Sequence, residues 1–240
     1  MAFPTVAAGN TSTELVATTT HSVDLPATVN AGELLDIKIT TGGEPLIFMP
    51  LDWDNAFNPE VFVSTSLANF KKIADGTEGG TSVTFTTDIA VKSAHIACAI
   101  TGWVGDLRGV VAGAAVTANT TTPNPPNVIS IVGIADNLFM PIMSMQRTLS
   151  ITGYPAGYID NQTEVTTGSG GQDSLIAIAT QGIAAASDNP GSFTAAIQRR
   201  SVAQTLVIAP AGSVIPDVVV ASKKSIPNSM VGAFVGSMIN

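Results

Sequence analysis

Hydrophobic and polar residues alternate with a period of two along most of this chain. Between residues 82 and 86, Val83 and Phe85 point one way while Ser82, Thr84 and Thr86 point the other, as in a half-buried strand. The same reading places Leu35, Ile37 and Ile39 on one face of a strand and Asp36 and Lys38 on the other. Gly, Pro, Asn and Asp cut the pattern into short pieces. The run Asp75-Gly76-Thr77-Glu78-Gly79-Gly80 supplies positive-φ positions for a reversal, so residues 71–88 read as strand, turn, strand. Pro190-Gly191 fits the two central positions of a type II turn. Further strands are predicted at 22–25, 46–49, 61–66, 92–101, 128–134, 137–145, 148–152, 174–183, 193–199, 205–209 and 218–221. Residues 176–186, rich in alanine, fit helix and strand equally. No heptad, long helical period or exact repeat interrupts this idiom, which predicts an all-β protein with little helix.

Length and composition refine the picture. The chain has 240 residues, 45% of them hydrophobic, enough to bury a sizeable core. The organisation expected is an N-terminal arm or first edge strand over residues 1–20, a β-sandwich over 21–210, and a C-terminal extension over 211–240. The proline-rich segment around 119–127 is expected to be a crossover between sheets, with a linker between two lobes as the other option. Only 12% of residues are charged, about half the usual share. Charge depletion marks surfaces covered by neighbouring subunits. The net charge is −8 and no basic cluster exceeds a pair of residues, which argues against direct nucleic-acid binding. The N-terminal sequence lacks the pattern of a signal peptide, and no stretch approaches the length of a membrane helix, so synthesis in a cytoplasm and no membrane partner are expected.

The segment 230–239 is apolar, carrying Met230, Val231, Phe234, Val235, Met238 and Ile239 without a charge. Burying a large apolar side chain contributes roughly 1.5 to 3 kcal/mol, so these six residues are expected to be covered, as an assembly interface together with the N-terminal arm or, alternatively, by docking on their own subunit.

Candidate chemistry is sparse. Cys98 is the single cysteine and His21 and His95 are the only histidines. A zinc site needs three or four such ligands, and nothing in the spacing brings these together. There is no G-x-S-x-G elbow, and neither glycine-rich segment, 76–80 or 168–171, has the form of a phosphate loop. The Asp52-Trp53-Asp54-Asn55 stretch lacks the glycine and glutamate of a calcium loop. No catalytic residue, cofactor or metal is therefore expected. Trp53, Trp103, Tyr154 and Tyr158 lie in predicted loops, where aromatic rings either plug the end of a sandwich or stack on sugars.

Several segments together carry a resemblance. They are Val23-Asp24-Leu25-Pro26 with Ala31-Gly32-Glu33-Leu34-Leu35, Lys72 through Gly79, Pro125-Pro126, Tyr154-Pro155-Ala156-Gly157-Tyr158, and Ala184 through Phe193. In these the chain resembles a diverse group of tailed-bacteriophage structural proteins, over roughly residues 20 to 210. Glu33 and Asn189 stand where those proteins usually carry Asp, and the C-terminal extension falls outside the pattern. The resemblance implies a jelly-roll or lectin-like antiparallel sandwich and a place in a virion. The function it implies is a capsid decoration or cement protein, or a tail component. The alternative is a carbohydrate-binding, receptor-recognising module of a tail fibre or spike, for which the four aromatics would be the stacking residues. The partners expected are other virion proteins and further copies of the chain, in a homo-oligomer with a trimer among the options.

Overall fold

A computed structural model of the chain describes residues 1–146, 150–167 and 172–216. Among these there is no α-helix. The elements in order are β1 (Thr5–Asp24), β2 (Leu34–Thr41), β3 (Ile47–Phe48), β4 (Asp54–Val61), β5 (Ser66–Ile73) and β6 (Ser82–Thr101). A single 3-10 turn at Leu107–Gly109 leads into β7 (Val110–Ala112), β8 (Val116–Thr120), β9 (Val128–Ile129), β10 (Ala135–Gln146) and β11 (Ile151–Gly153). The chain continues with β12 (Ile159–Val165), β13 (Ser174–Ala185), β14 (Ser187–Asp188), β15 (Thr194–Ala195) and β16 (Arg199–Ile208).

Two antiparallel sheets face each other, and each comes from one half of the chain. The first has the order β1-β6-β2-β5-β4, with β3 added beside the distal part of β6. The second has the order β12-β13-β10-β16-β7, with β8 continuing the edge that β7 begins. The passage from one sheet to the other runs through residues 102–109. The proline segment 119–127, expected to be that crossover, instead joins β8 to β9 after the second sheet has already begun.

The stretch 71–88 is a strand, a reversal and a strand, but not a hairpin. β5 and β6 lie on opposite sides of β2 rather than against each other. The intervening loop has to pass β2, and it is tied to the segment after β1 by Leu25 N–H to Thr81 O at 2.9 Å and Gly80 N–H to Pro26 O at 2.9 Å. Gly76 and Gly80 have φ of +92° and +69°, as the turn chemistry demands. The Glu78 carboxylate holds this loop from inside, accepting from the Asp75 and Gly76 amides and from Lys72 at 3.0 Å. Burial raises its pKa, but those hydrogen bonds outweigh burial and hold it below the usual range.

Other strand boundaries also differ. Residues 1–20 form no free arm: from Thr5 they are the edge strand β1, paired along β6. The loop expected around Trp53 is cut short, because β4 begins directly after it at Asp54. The pieces expected at 193–199 and 205–209 are instead the two-residue β15 and one long β16. β12 carries five polar residues in seven and offered no apolar alternation to find.

Both faces of both sheets are covered. Between the sheets lie Leu34, Leu67, Ile96, Ile100, Leu138, Met140, Ile142, Ile176, Ile178, Val202 and Leu206. Outside the first sheet, Leu35, Ile37, Ile39, Phe70 and Ala97 pack against Val23, Trp53 and Phe85. This outer layer exists because the β1–β6 ribbon bends. The pairing skips residues on both strands between Glu14↔Ser93 and Thr20↔Thr86, and such bulges bend a ribbon. Outside the second sheet, the segments around β9, β11, β14 and β15 place Val128, Tyr158 and Phe193 over β10 and β13. The two sheets also touch tightly at their rim: a Cβ on Gly42 would stand 1.8 Å from the Gln172 carbonyl oxygen, so only glycine fits there.

Candidate functional site

The alternation of β2 has a consequence that depends on which face looks where. Leu35, Ile37 and Ile39 look outward, so Asp36 and Lys38 point into the space between the sheets. Both are fully buried, and Lys38 Nζ lies 2.7 Å from Asp36 Oδ2. Asn69 stands directly opposite Lys38 on β5, also fully buried, and its Nδ2 donates to Asp36 Oδ1. Cys98 stands opposite Asp36 on β6. Burial pulls the Lys38 pKa down, but the adjacent carboxylate more than offsets this and holds it above the ordinary value. Burial pushes the Cys98 thiol up, with Lys38 opposing only in part. One shell out, Lys71 donates to the Leu107 and Val110 carbonyls, and burial lowers its pKa despite the acidic groups around it. At the other end of this layer, the Ser144 hydroxyl ties the sheets together. It donates to Ser66 O and accepts from Thr40 and Thr65, each at 2.7 Å.

A second polar cluster lies on the opposite face of β6. His95 Nδ1 is 3.0 Å from Ser12 Oγ and His95 Nε2 is 2.7 Å from Ser93 Oγ. Ser93 Oγ also meets His21 Nδ1 at 2.7 Å, and His21 Nε2 meets Thr87 Oγ1 at 3.0 Å. The ends of this chain of contacts set every proton in it. Thr87 donates to Ile89 O, so it must accept from His21 Nε2–H. His21 Nδ1 then accepts from Ser93, Ser93 accepts from His95 Nε2–H, and His95 Nδ1 accepts from Ser12. Ser12 in turn accepts from the Asp24 amide. Both rings are thus neutral and fully partnered. Burial lowers His21 to about 4, and burial with the neighbouring His21 lowers His95 to about 3. Phe85 stacks on His21 at 4.5 Å and meets His95 edge-on at 5.6 Å. Sequence spacing missed this pairing because β1 and β6 bring together residues separated by 74 positions only through the strand register.

The structure therefore brings His21 and His95 together and separates both from Cys98. His95 and Cys98 differ by an odd number of positions along one strand, so they occupy opposite faces. Among the described residues no three His, Cys, Asp or Glu side chains converge as metal ligands.

The four candidate stacking aromatics do not gather. Trp53 belongs to the layer outside the first sheet, and Trp103 to the layer between the sheets, its indole N–H donating to Gly32 O at 2.9 Å. Tyr158 and Tyr154 pack outside the second sheet, their hydroxyls bonded to Asp188 and Thr163. Trp53, Trp103 and Tyr158 are each no more than 8% exposed, so none offers a ring face for a sugar. Met230, Val231, Phe234, Val235, Met238 and Ile239 lie outside the described residues.

Two surface features were not legible in the sequence. An open groove of about 560 Å³ is lined by Asn119, Ile197, Gln198, Arg199 and Arg200. At the bend of the β1–β6 ribbon, Leu15, Val16, Leu46, Phe48, Met49, Leu51 and Ile89 are all exposed, Leu51 and Val16 most of all at 89% and 76%. They sit on adjoining segments: β3 pairs with β6 at Ile47↔Thr87, and the Leu46 and Asp88 backbones bond at 3.3 Å. Glu14, Glu44, Asp52 and Asp88 occupy the same segments.

Comparison with known protein families, curated proteins and solved structures finds no match. No helix among the described residues is long and apolar enough to cross a membrane.

Proposed function

We propose that this chain is a non-enzymatic structural subunit of a tailed-bacteriophage particle, a capsid decoration or cement protein or a related component of the virion surface. The observation that carries the reading is the apolar cluster at the ribbon bend. Seven large apolar side chains exposed on adjoining segments call for a covering partner. Their acidic neighbours suit a partner with basic residues at its edge. A subunit held among neighbours on a particle covers such a surface for as long as the particle lasts. The sequence resemblance supplies the particle, and the low charge content of the chain agrees with a surface mostly covered. The 211–240 extension belongs to this reading as a strap: its apolar 230–239 segment follows Lys223-Lys224, a basic pair that complements the acidic bend.

The test is incorporation. Val16→Glu with Leu51→Glu should reduce self-association and uptake into particles at least tenfold while leaving the far-ultraviolet circular dichroism unchanged. Deleting residues 226–240 should have the same effect. Normal incorporation of both variants would remove the reading.

The glycan-binding alternative draws on one feature, the groove beside Arg199 and Arg200, whose amides and guanidinium groups suit hydroxyl-rich ligands. It needs no aromatic platform. Glycan-array binding lost on Arg200→Ala would favour it over the structural role.

A further inference from the structure

The buried Lys38–Asp36–Asn69 cluster is chemically unlike the rest of the interior. An amine, a carboxyl and a carboxamide share one buried site, and the amine and the carboxamide each contact one oxygen of the same carboxylate. Lys38 and Asn69 are cross-strand partners on the same face, which places their Cβ atoms about 4.5–5.5 Å apart. Both are held on one carboxylate, Lys38 on Oδ2 at 2.7 Å and Asn69 on Oδ1. Asn69 Oδ1, buried, has no hydrogen-bond partner. A buried ion pair costs desolvation on both ions and returns it only with complete hydrogen bonding, which this one lacks.

We propose that Lys38 and Asn69 are joined by an isopeptide bond between Nζ and Cγ, formed by the protein itself with Asp36 as the proton carrier. The Lys38 ammonium passes one proton across 2.7 Å to Asp36. The free amine attacks Asn69 Cγ. With the amide turned about its Cβ–Cγ bond, the Asp36 O–H donates to the otherwise unpartnered Oδ1 and stabilises the charge that develops there. The Cγ–Nδ2 bond breaks, a second Nζ proton goes to Nδ2, and ammonia leaves. Asp36 retains the first proton. Two buried charges are replaced by a neutral amide and a neutral acid, and no oxidant or cofactor is consumed. Amide aminolysis is slow between free molecules; fixing amine and amide together in a water-excluded site supplies the missing factor as effective concentration.

The bond ties β2 to β5 in the middle of the first sheet. It does not depend on the particle role proposed above and survives or fails separately from it. The test is mass spectrometry of the denatured, full-length chain. The expected mass is about 17 Da below that of the sequence, the loss of one ammonia, after allowance for the N-terminal residue. Trypsin supplies an independent signature. Lys38 is the first lysine or arginine of the chain and Lys71 the second, so an unlinked chain yields peptides 1–38 and 39–71. The linked chain yields one peptide, 1–71, uncut at Lys38 and lighter by the same amount. Asp36→Asn and Asn69→Ala should restore the full mass and the cut. The proposal is overturned if the wild-type chain has its sequence mass and is cut at Lys38, a result that requires no variant to fold. It is equally overturned if Asn69→Ala retains the deficit.

Discussion

The two faces of the first sheet bury polar groups in opposite ways. On the outer face, two histidines and three hydroxyls form a chain in which each donor meets one acceptor, anchored by the Asp24 amide at one end and the Ile89 carbonyl at the other. It is neutral and complete. On the inner face, Lys38, Asp36 and Asn69 are charged or strongly polar, and atoms remain without hydrogen-bond partners. A closed neutral network can only lose by change, since every substitution leaves an orphan. An open charged one has something to gain from reaction. The contrast explains why the histidines, the most obvious candidates for chemistry in the sequence, are structural, while a lysine in an ordinary-looking strand is the reactive one.

The largest effect should come from the charged side. Asp36→Ala leaves Lys38 without its counter-charge in the interior and should cost about 3–5 kcal/mol of unfolding free energy. Denaturant unfolding measures it; a loss below 1 kcal/mol would mean that Lys38 reaches water and the two faces are not distinct.

The next effect is acid sensitivity of the neutral side. Unfolded histidine titrates near 6.5, whereas His21 and His95 in the fold titrate at about 4 and about 3. Between those values the unfolded chain binds protons that the folded chain does not. Stability is therefore fully present above pH 6.5 and is lost as the pH falls toward 4, by on the order of 3 kcal/mol for His21 alone. A His21→Gln, His95→Gln double variant should flatten the stability profile between pH 6.5 and 4. An unchanged profile would assign the acid sensitivity elsewhere.

The smallest effect is a single hydroxyl. Ser93→Ala deprives His95 Nε2–H of its acceptor and His21 Nδ1 of its donor, and should cost about 1–3 kcal/mol. Ser12→Ala, at the partly buried end where water can substitute, should cost less. Equal losses from the two would show that these hydrogen bonds do not form a directed series from Ser12 to Thr87.

Much of this protein was present in the order of its residues. The period-two runs determined the strands of the all-β sandwich, Gly76 and Gly80 a reversal, and Val83 and Phe85 their buried side, whereas residues 189–193, expected as a type II turn, form neither turn nor bend. The alternation of Leu35, Ile37 and Ile39 against Asp36 and Lys38 was equally legible. What that alternation meant was not. A period of two separates the faces of a strand but carries no sign of what each face meets. A polar face usually meets water, and here it meets a second sheet. That outcome depends on the bend of the β1–β6 ribbon, which lays a further layer over Leu35, Ile37 and Ile39 and leaves the other face for the sandwich interior. The same pairing register brings His21 to His95 and sends Cys98 away from both. Local sequence sets strands because backbone preference and side-chain period are local; it cannot set which strands become neighbours, because that is decided by burial summed over the whole chain.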